Sequence, residues 1–401
     1  MKILFLTDKF YPENNPQAVL LRNLLIKLSK YKDLNIYLLT TTKLHKKIDN
    51  INYEVYNLRI NKIWGIIDKL PFLNKYVFVR FKYSDQLKFF RKYILINNID
   101  IIVSFSNPYI LNVLSHYLSL DLKIKNIIHY SDPVYKTIYK KGFYFFFRSF
   151  FLKILEKKIL LNASHIIVNN NQMAKYIFKN HNIDLFHKTS IISHSYDKND
   201  YQVSNKKNKL NNKDSVRFSF FGSLNKIRNP LYLIKAIIEL KLKKLISHNV
   251  IFNFYGNLDL FLVKKINIFK NDLKNNKIYF FPAVSFINSI KKMLTSDILI
   301  SLDANNNENI YLTSKNIFYL PTKKLVLNIT QRKSPNYFLG KKAGYVFSNV
   351  LDYNDLKKKI VISIFTYKKF KANVKFIQTY SSDIVANKWH TLLKKVLLKN
   401  I

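Results

Sequence analysis

Apolar residues first arrive as one short unbroken run. Residues 3–6 are continuously apolar and are followed by Asp8 and a Tyr11-Pro12 turn signal, which predicts a strand over 2–7 in a parallel sheet covered on both faces. The period then changes. Ala18, Leu21, Leu24, Leu25 and Leu28 recur at helical spacing, with Pro16 where a first helical turn tolerates it. Residues 36–40 return to a strand-like run, and a βαβ start of this kind requires a parallel sheet with a right-handed crossover. Further strands are predicted at 101–104, 127–130 and 165–168, each separated by helix-length segments.

At 197–214 the pattern stops in a polar run, DKNDYQVSNKKNKLNNKD, with almost nothing to bury. Alternation then restarts, with strands predicted at 216–221, 250–255, 278–281, 297–302, 325–329 and 344–347, and helices at 231–240 and 286–294. The expected organisation is an N-terminal domain over 1–197, a linker over 198–214, a second domain over 215–380 and a terminal helix over 381–401. Both domains are expected to be α/β with Rossmann-like, doubly wound parallel sheets.

Length agrees with two domains, since 401 residues exceed the roughly 250 to 300 at which single cores stop growing. Hydrophobic residues make up 48% of the chain, enough for packed cores and too many for wholesale disorder. The most apolar stretch, 142–161, is interrupted by Arg148, Lys153 and Glu156, so no helix of about 20 apolar residues is expected to span a membrane. The N-terminus lacks the apolar length and cleavage site of a secretory signal, and cysteine is absent, so a cytoplasmic location is expected and disulfide, thiolate-metal and cysteine-nucleophile chemistry are closed.

The charge widens the picture. Sixty-seven Lys and Arg against 24 Asp and Glu give a net +43, which attracts phospholipid surfaces and nucleic acid alike. The same chain is rich in Lys, Asn, Ile, Phe and Tyr and poor in Gly and Pro, the pattern of strongly A+T-biased coding, so solvated lysines that serve no partner are the competing explanation. Two segments mix aromatics with cations: 62–91, with Trp64, Phe72, Tyr76 and Phe78, and 136–158, with Lys140, Lys141 and Arg148. These predict a peripheral attachment to an anionic membrane surface, against the alternative that the aromatics are core. No signature of a nucleic-acid-binding module appears, so nucleic acid is not the expected partner.

In open α/β sheets, ligands bind beyond the carboxyl ends of the strands. After the strand at 216–221 comes FFGSLNKIRNP, where Gly222 permits close backbone approach and Arg228 offers a bidentate clamp for a phosphate; the alternative is an ordinary turn with Arg228 in solvent. In TSKNIFYL, Ser314 is expected to cap a helix with Lys315 in its first turn, either opposite an anion or swinging into water. In IIHYSDP, His129 and Asp132 follow a strand, as a catalytic pair acting near neutral pH or as structural residues.

Taken in order, FLTDKFYPENNPQAVLLRNLLIKL, FGSLNKIRNPLYLIKAI, SDILISLD with TSKNIFYLPTKKLVLNIT, and YSSDIVANKWHTLLKKVL resemble four segments of the retaining GT-B glycosyltransferases that build lipopolysaccharide, O-antigen and capsule, a family-4-like group. The resemblance spans the chain. It implies two domains facing a cleft, with the C-terminal helix crossing back to the first. It also implies a nucleotide diphosphate sugar as donor, a lipid-linked glycan acceptor, a retaining course, and work at the inner face of the cell membrane. By the resemblance Arg228 contacts the donor diphosphate after the turn glycine Gly222, Lys315 is the Lys of a Ser-Lys variant that begins at Ser314, and Asp132 with His129 belongs to the acceptor side.

Departures are equally specific. Ser223 stands where the family has Arg, and Asn14, Asn15 and Pro16 replace the N-terminal glycine pair. Ile310 and Phe318 occupy the positions of two glutamates that hold donor hydroxyls, leaving Glu308 as the neighbouring acceptor. No Asp-x-Asp, P-loop or G-x-G-x-x-G pattern is present, so no metal or cofactor is expected and hydride transfer and P-loop hydrolysis are unsupported. A polyanion-binding protein and a catalytically degenerate partner subunit remain the competing readings.

Overall fold

The structure is a computed structural model that describes residues 1–13, 15–43, 48–60, 78–136, 144–202, 215–304 and 309–398, and of 144–149 the backbone. The chain forms two compact units, Met1–His194 with Ser382–Ile401, and Ser195–Ser381.

The first unit holds a seven-stranded sheet: β1 (Lys2–Leu6), β2 (Asn35–Thr40), β3 (Ile51–Val55), β4 (Ile101–Phe105), β5 (Lys125–Tyr130), β6 (His165–Val168) and β7 (Thr189–Ile191). Every pairing is parallel and the order is β3-β2-β1-β4-β5-β6-β7. Leu4 pairs with both Tyr37 and Ile102, so the order reverses at β1. The central strands are apolar because both faces are covered: Ile3, Phe5, Ile101, Val103 and Ile127 are fully buried. The edges escaped the sequence reading for a physical reason. β3 alternates buried and open positions, and β7 has only three residues, none fully buried.

The helix Pro16–Leu28 forms as the spacing predicts. Asn15 caps it by accepting from the Gln17 N–H, and Ala18, Leu21, Leu24, Leu25 and Leu28 are buried. The helix Ser382–Leu398 completes the same core with Val385, Trp389, Leu393 and Val396, packed among Phe5, Leu25 and Ile127. The last helix therefore belongs to the first unit, and Lys27 pairs with Asp383 at 3.0 Å where the two helices meet.

The second unit holds β8 (Arg217–Phe221), β9 (Ile251–Tyr255), β10 (Ile278–Phe281), β11 (Ile298–Leu302), β12 (Leu325–Thr330) and β13 (Val346–Asn349) in the order β10-β9-β8-β11-β12-β13, all parallel. All six predicted strands are present. The order reverses between β8 and β11, which makes the carboxyl ends of those two strands the expected ligand position. Phe218 and Phe252 stack at 4.6 Å beneath the helix Leu231–Leu242. The polar run after 197 opens with a short helix, Lys198–Gln202, because Tyr201 has something to bury against: its hydroxyl donates to the Phe318 carbonyl at 2.6 Å. Residues 203–214 lie outside the described residues. Among those described, no helix is long and apolar enough to cross a membrane.

Candidate functional site

At the end of β8, Gly222 takes φ 132° and its N–H donates to Tyr255 O at 2.9 Å. Beside it, Gly256 follows β9 at φ 155°, and a Cβ there would stand 2.0 Å from Gly222 O. Only glycine lets these two turns touch. The chain then folds over itself: Asn225 Oδ1 accepts from the N–H groups of Ile227 and Arg228 at 3.1 and 2.8 Å, and Asp259 accepts from the Lys226 N–H at 2.8 Å. These bonds fix where Arg228 emerges. Its side chain is half-buried, its Nη1 reaches Ser223 O only at 3.5 Å, and its Nε is buried with no hydrogen-bond partner. An Arg in free solvent is thus not what the turn presents. A buried guanidinium nitrogen without an acceptor is costly unless a ligand supplies one.

Lys315 stands next to it electrostatically. It lies in the helix Ser314–Tyr319, whose N-cap position is Thr313; Ser314 is the first helical residue and makes no cap, because the Thr313 hydroxyl and N–H turn instead to Asn336 Oδ1. The Lys315 ammonium donates to Leu302 O at 3.2 Å and sits 4.2 Å from the centroid of the Phe220 ring. Burial pushes its pKa well below the ordinary lysine range, the Arg228 charge pushes the same way, and Asp303 opposes them. A lysine swinging into water is excluded. Half-buried Arg228 and Lys315, drawn over the Phe220 ring, place two positive charges at neighbouring strand ends, which favours an anion there.

Sequence reading missed the residues that brace this loop. Asp303, directly after β11, is 1% exposed and accepts from Thr330 Oγ1, from Asn309 Nδ2 at 2.9 Å and from Asn336 Nδ2 at 2.9 Å. The only signal was an acidic residue closing an apolar strand. A pocket of about 170 Å³ opens beside these groups, lined by Lys226, Asn229 and Tyr232 on one side and Leu302 and Asp303 on the other. Its size suits a small polar group and falls below the roughly 300 Å³ at which whole-ligand pockets begin.

Ile310 and Phe318 are buried, and Phe318 packs edge-on against Phe286 at 5.0 Å, so neither position offers an acceptor to a ligand. Glu308 lies outside the described residues. Among the described residues no three His, Asp or Glu side chains gather as a metal-binding group.

In the first unit, His129 closes β5 and is 7% exposed, stacked on Trp389 and tilted 4.9 Å from Phe105. Burial lowers its pKa to about 3, aided by His194 and opposed by a hydrogen bond to Asn169. Asn169 Nδ2 and His194 Nε2 are 3.1 Å apart, and burial lowers His194 to about 4. His129 is thus enclosed near the end of β5, with the Trp389 ring stacked on it. Asp132 is open to solvent on one side, yet desolvation by the surrounding protein raises its carboxyl to about 6.

No family model matches the chain, and no curated protein matches it in sequence. Solved structures do match in fold. A glycosyltransferase from Rickettsia africae is 16% identical, with 100% of this chain and 99% of that chain covered and a TM-score of 0.71. HepE from Anabaena, solved in complex with UDP, is 14% identical over 98% of this chain and 100% of its own, with a TM-score of 0.67. The lipopolysaccharide outer core galactosyltransferase WaaB is 9% identical over 98% and 99%, with a TM-score of 0.64. At these identities the likeness establishes the fold: two parallel-sheet α/β domains of the GT-B glycosyltransferase type.

Proposed function

We propose that the chain transfers a sugar from a nucleoside diphosphate sugar to a lipid-linked surface glycan, without a divalent metal. One observation carries the reading: Arg228, with a buried Nε lacking an acceptor, and Lys315, an ammonium drawn out of water, share the carboxyl ends of β8 and β11 beside a glycine turn. A departing diphosphate gains negative charge as the glycosidic bond breaks. Preorganised donors at that point are worth about 3 to 4 kcal/mol each in the barrier. Gly222 lets backbone approach the phosphates, and Arg228 and Lys315 take the charge-neutralising part that a metal plays elsewhere. HepE was solved with UDP and with UDP-glucose, which makes a uridine nucleotide the first donor to try.

On the acceptor side, Asp132 holds or deprotonates the incoming hydroxyl, and neutral His129 supports the strand end from beneath. A retaining, family-4-like course rests on the ordered sequence segments. Attachment to an anionic inner membrane surface is supported by exposed aromatics in the first unit: Phe78 and Phe81 are 49% and 60% exposed, and Phe150 and Phe151 are 62% and 53% exposed. Trp64, Phe72, Tyr76, Lys140 and Lys141 of the same segments lie outside the described residues, and Arg148 is described by its backbone in the helix Tyr144–Asn162.

A panel of nucleotide sugars read by thermal shift tests the reading, since binding raises apparent stability by mass action. One donor is expected to raise Tm, with chelator present, and to release nucleoside diphosphate when an acceptor is added. A degenerate partner subunit, the reading favoured by buried Ile310 and Phe318, would release none.

A further inference from the structure

The helix Tyr144–Asn162 has two faces with different partners. Outward it shows Phe150, Phe151, Ile154 and Leu161, all exposed, with Lys153, Lys157 and Lys158 beside them. Residues 150, 154 and 161 fall on one stripe at helical spacing, the arrangement of a helix that lies on lipid with cations at its flanks. Inward the contacts start late. Every side chain from 150 to 155 is half-buried or exposed, and the protein first encloses the helix at Glu156, then at Ile159 and Leu160.

What Glu156 grips is the loop after β5. Its Oε2 accepts from the Tyr135 N–H at 2.9 Å, its Oε1 from the Val134 N–H at 3.4 Å, and His181 Nε2 lies 3.0 Å from Oε2. The Tyr135 ring stands 5.4 Å from the His181 ring, and Lys153, one turn before Glu156, places its ammonium 5.8 Å from the Tyr135 centroid. Asp132 sits two residues before Val134 on the same loop, whose start is held at the sheet by the Ser131 N–H donating to Ser106 Oγ at 3.1 Å. The loop is thus fastened to the sheet at one end and to the surface helix at the other. Bonds from N–H groups to a buried carboxylate are among the stronger ones, so the second fastening is not incidental.

Holding turns with few buried contacts in a helix costs conformational entropy, and lipid over the outer face offsets that cost. Order gained by the helix reaches the loop at Glu156, and the coupling is reciprocal. We propose that Glu156 links the lipid-facing helix to the Asp132 loop, so that docking on an anionic membrane orders Val134 and Tyr135 and sets Asp132 in place for the acceptor. The proposal rests on the membrane and acceptor readings above. Glu156 touches neither lipid nor acceptor; it is a positioning residue that acts through the backbone of the loop.

The test is amide hydrogen exchange of the peptide carrying Val134 and Tyr135, followed by mass spectrometry for the unaltered protein and Glu156→Gln. Each is measured alone and with phosphatidylglycerol vesicles, and binding is recorded by co-sedimentation. Vesicles should slow this exchange about fivefold in the unaltered protein and less than about twofold in Glu156→Gln, whose outer face still binds. Unchanged exchange in the vesicle-bound unaltered protein overturns the proposal. So does equal slowing in the variant, which would reduce Glu156 to a brace without a part in the coupling. If Glu156→Gln does not fold, Glu156→Asp carries the test: it keeps a carboxylate near His181 and withdraws it from the loop by one methylene, and the same loss of slowing is expected. Failure of the unaltered protein to bind phosphatidylglycerol vesicles is a different result: it removes the membrane reading, and this inference with it.

Discussion

The indole of Trp389 lies against the imidazole of His129, with ring centroids 6.0 Å apart and planes 24° apart, and on another side it meets Phe5 at 6.2 Å. A residue from the last turns of the chain thus roofs the end of β5 and the middle of β1. Trp389 is 2% exposed, so Trp389→Ala should cost about 3 to 5 kcal/mol in the first unit. Chemical denaturation followed by first-unit probes checks this. A loss below about 1 kcal/mol would mean that the terminal helix is an accessory and not part of the core.

The buried imidazoles and Asp132 give the first unit opposed pH responses. His129 and His194 have folded pKa values of about 3 and about 4, below the roughly 6.5 of an unfolded chain, so their contribution is present above about pH 6.5 and lost as pH falls through those values. Asp132, raised to about 6 from roughly 3.9, contributes stability that is full below about pH 4 and lost as pH rises through 6. Asp132→Asn should therefore raise Tm at pH 8 and leave it unchanged near pH 3.5. A gain of the same size at both values would remove the desolvated carboxyl from the account.

Ile310 and Phe318 are 6% exposed each, and Phe318 packs on Phe286. Placing Glu at either position buries a carboxylate with no partner, which should destabilise the second unit by several kcal/mol and not improve donor affinity. Tighter donor binding with an unchanged Tm would show that these positions still face the ligand.

What the sequence disclosed depended on period and burial. β1, β8 and β11 were legible because both faces are covered and most of their residues are apolar, whereas β3 and β7, at the sheet edge, were not. Gly222 could be read as a turn glycine because it directly follows β8. That Thr313 instead of Ser314 heads the Lys315 helix goes with Asn336, 23 residues away, claiming the Thr313 donors. A polar residue that makes six hydrogen-bonding contacts inside a core looks in sequence like any surface Asn. Nothing local to His129 announces that Trp389 covers it.

Vesicle co-sedimentation tests the membrane reading. Binding is expected with anionic lipid, should weaken as salt rises, and should fall when Lys140, Lys141 and Arg148 are neutralised together or when Phe150 and Phe151 are changed to Ser. Equal binding to neutral vesicles at high salt, or none to anionic ones, would leave the +43 charge as composition alone.

The central claim is that Arg228 and Lys315 form the diphosphate site of a sugar transferase. The direct measurement is single-turnover sugar transfer from the donor found by the panel, by the unaltered protein, Arg228→Ala and Lys315→Ala, with Tm recorded for each. The account predicts that each variant loses on the order of 100-fold in rate, as for removal of one preorganised donor, while Tm stays within a few degrees. Near-native rates in both variants would contradict it.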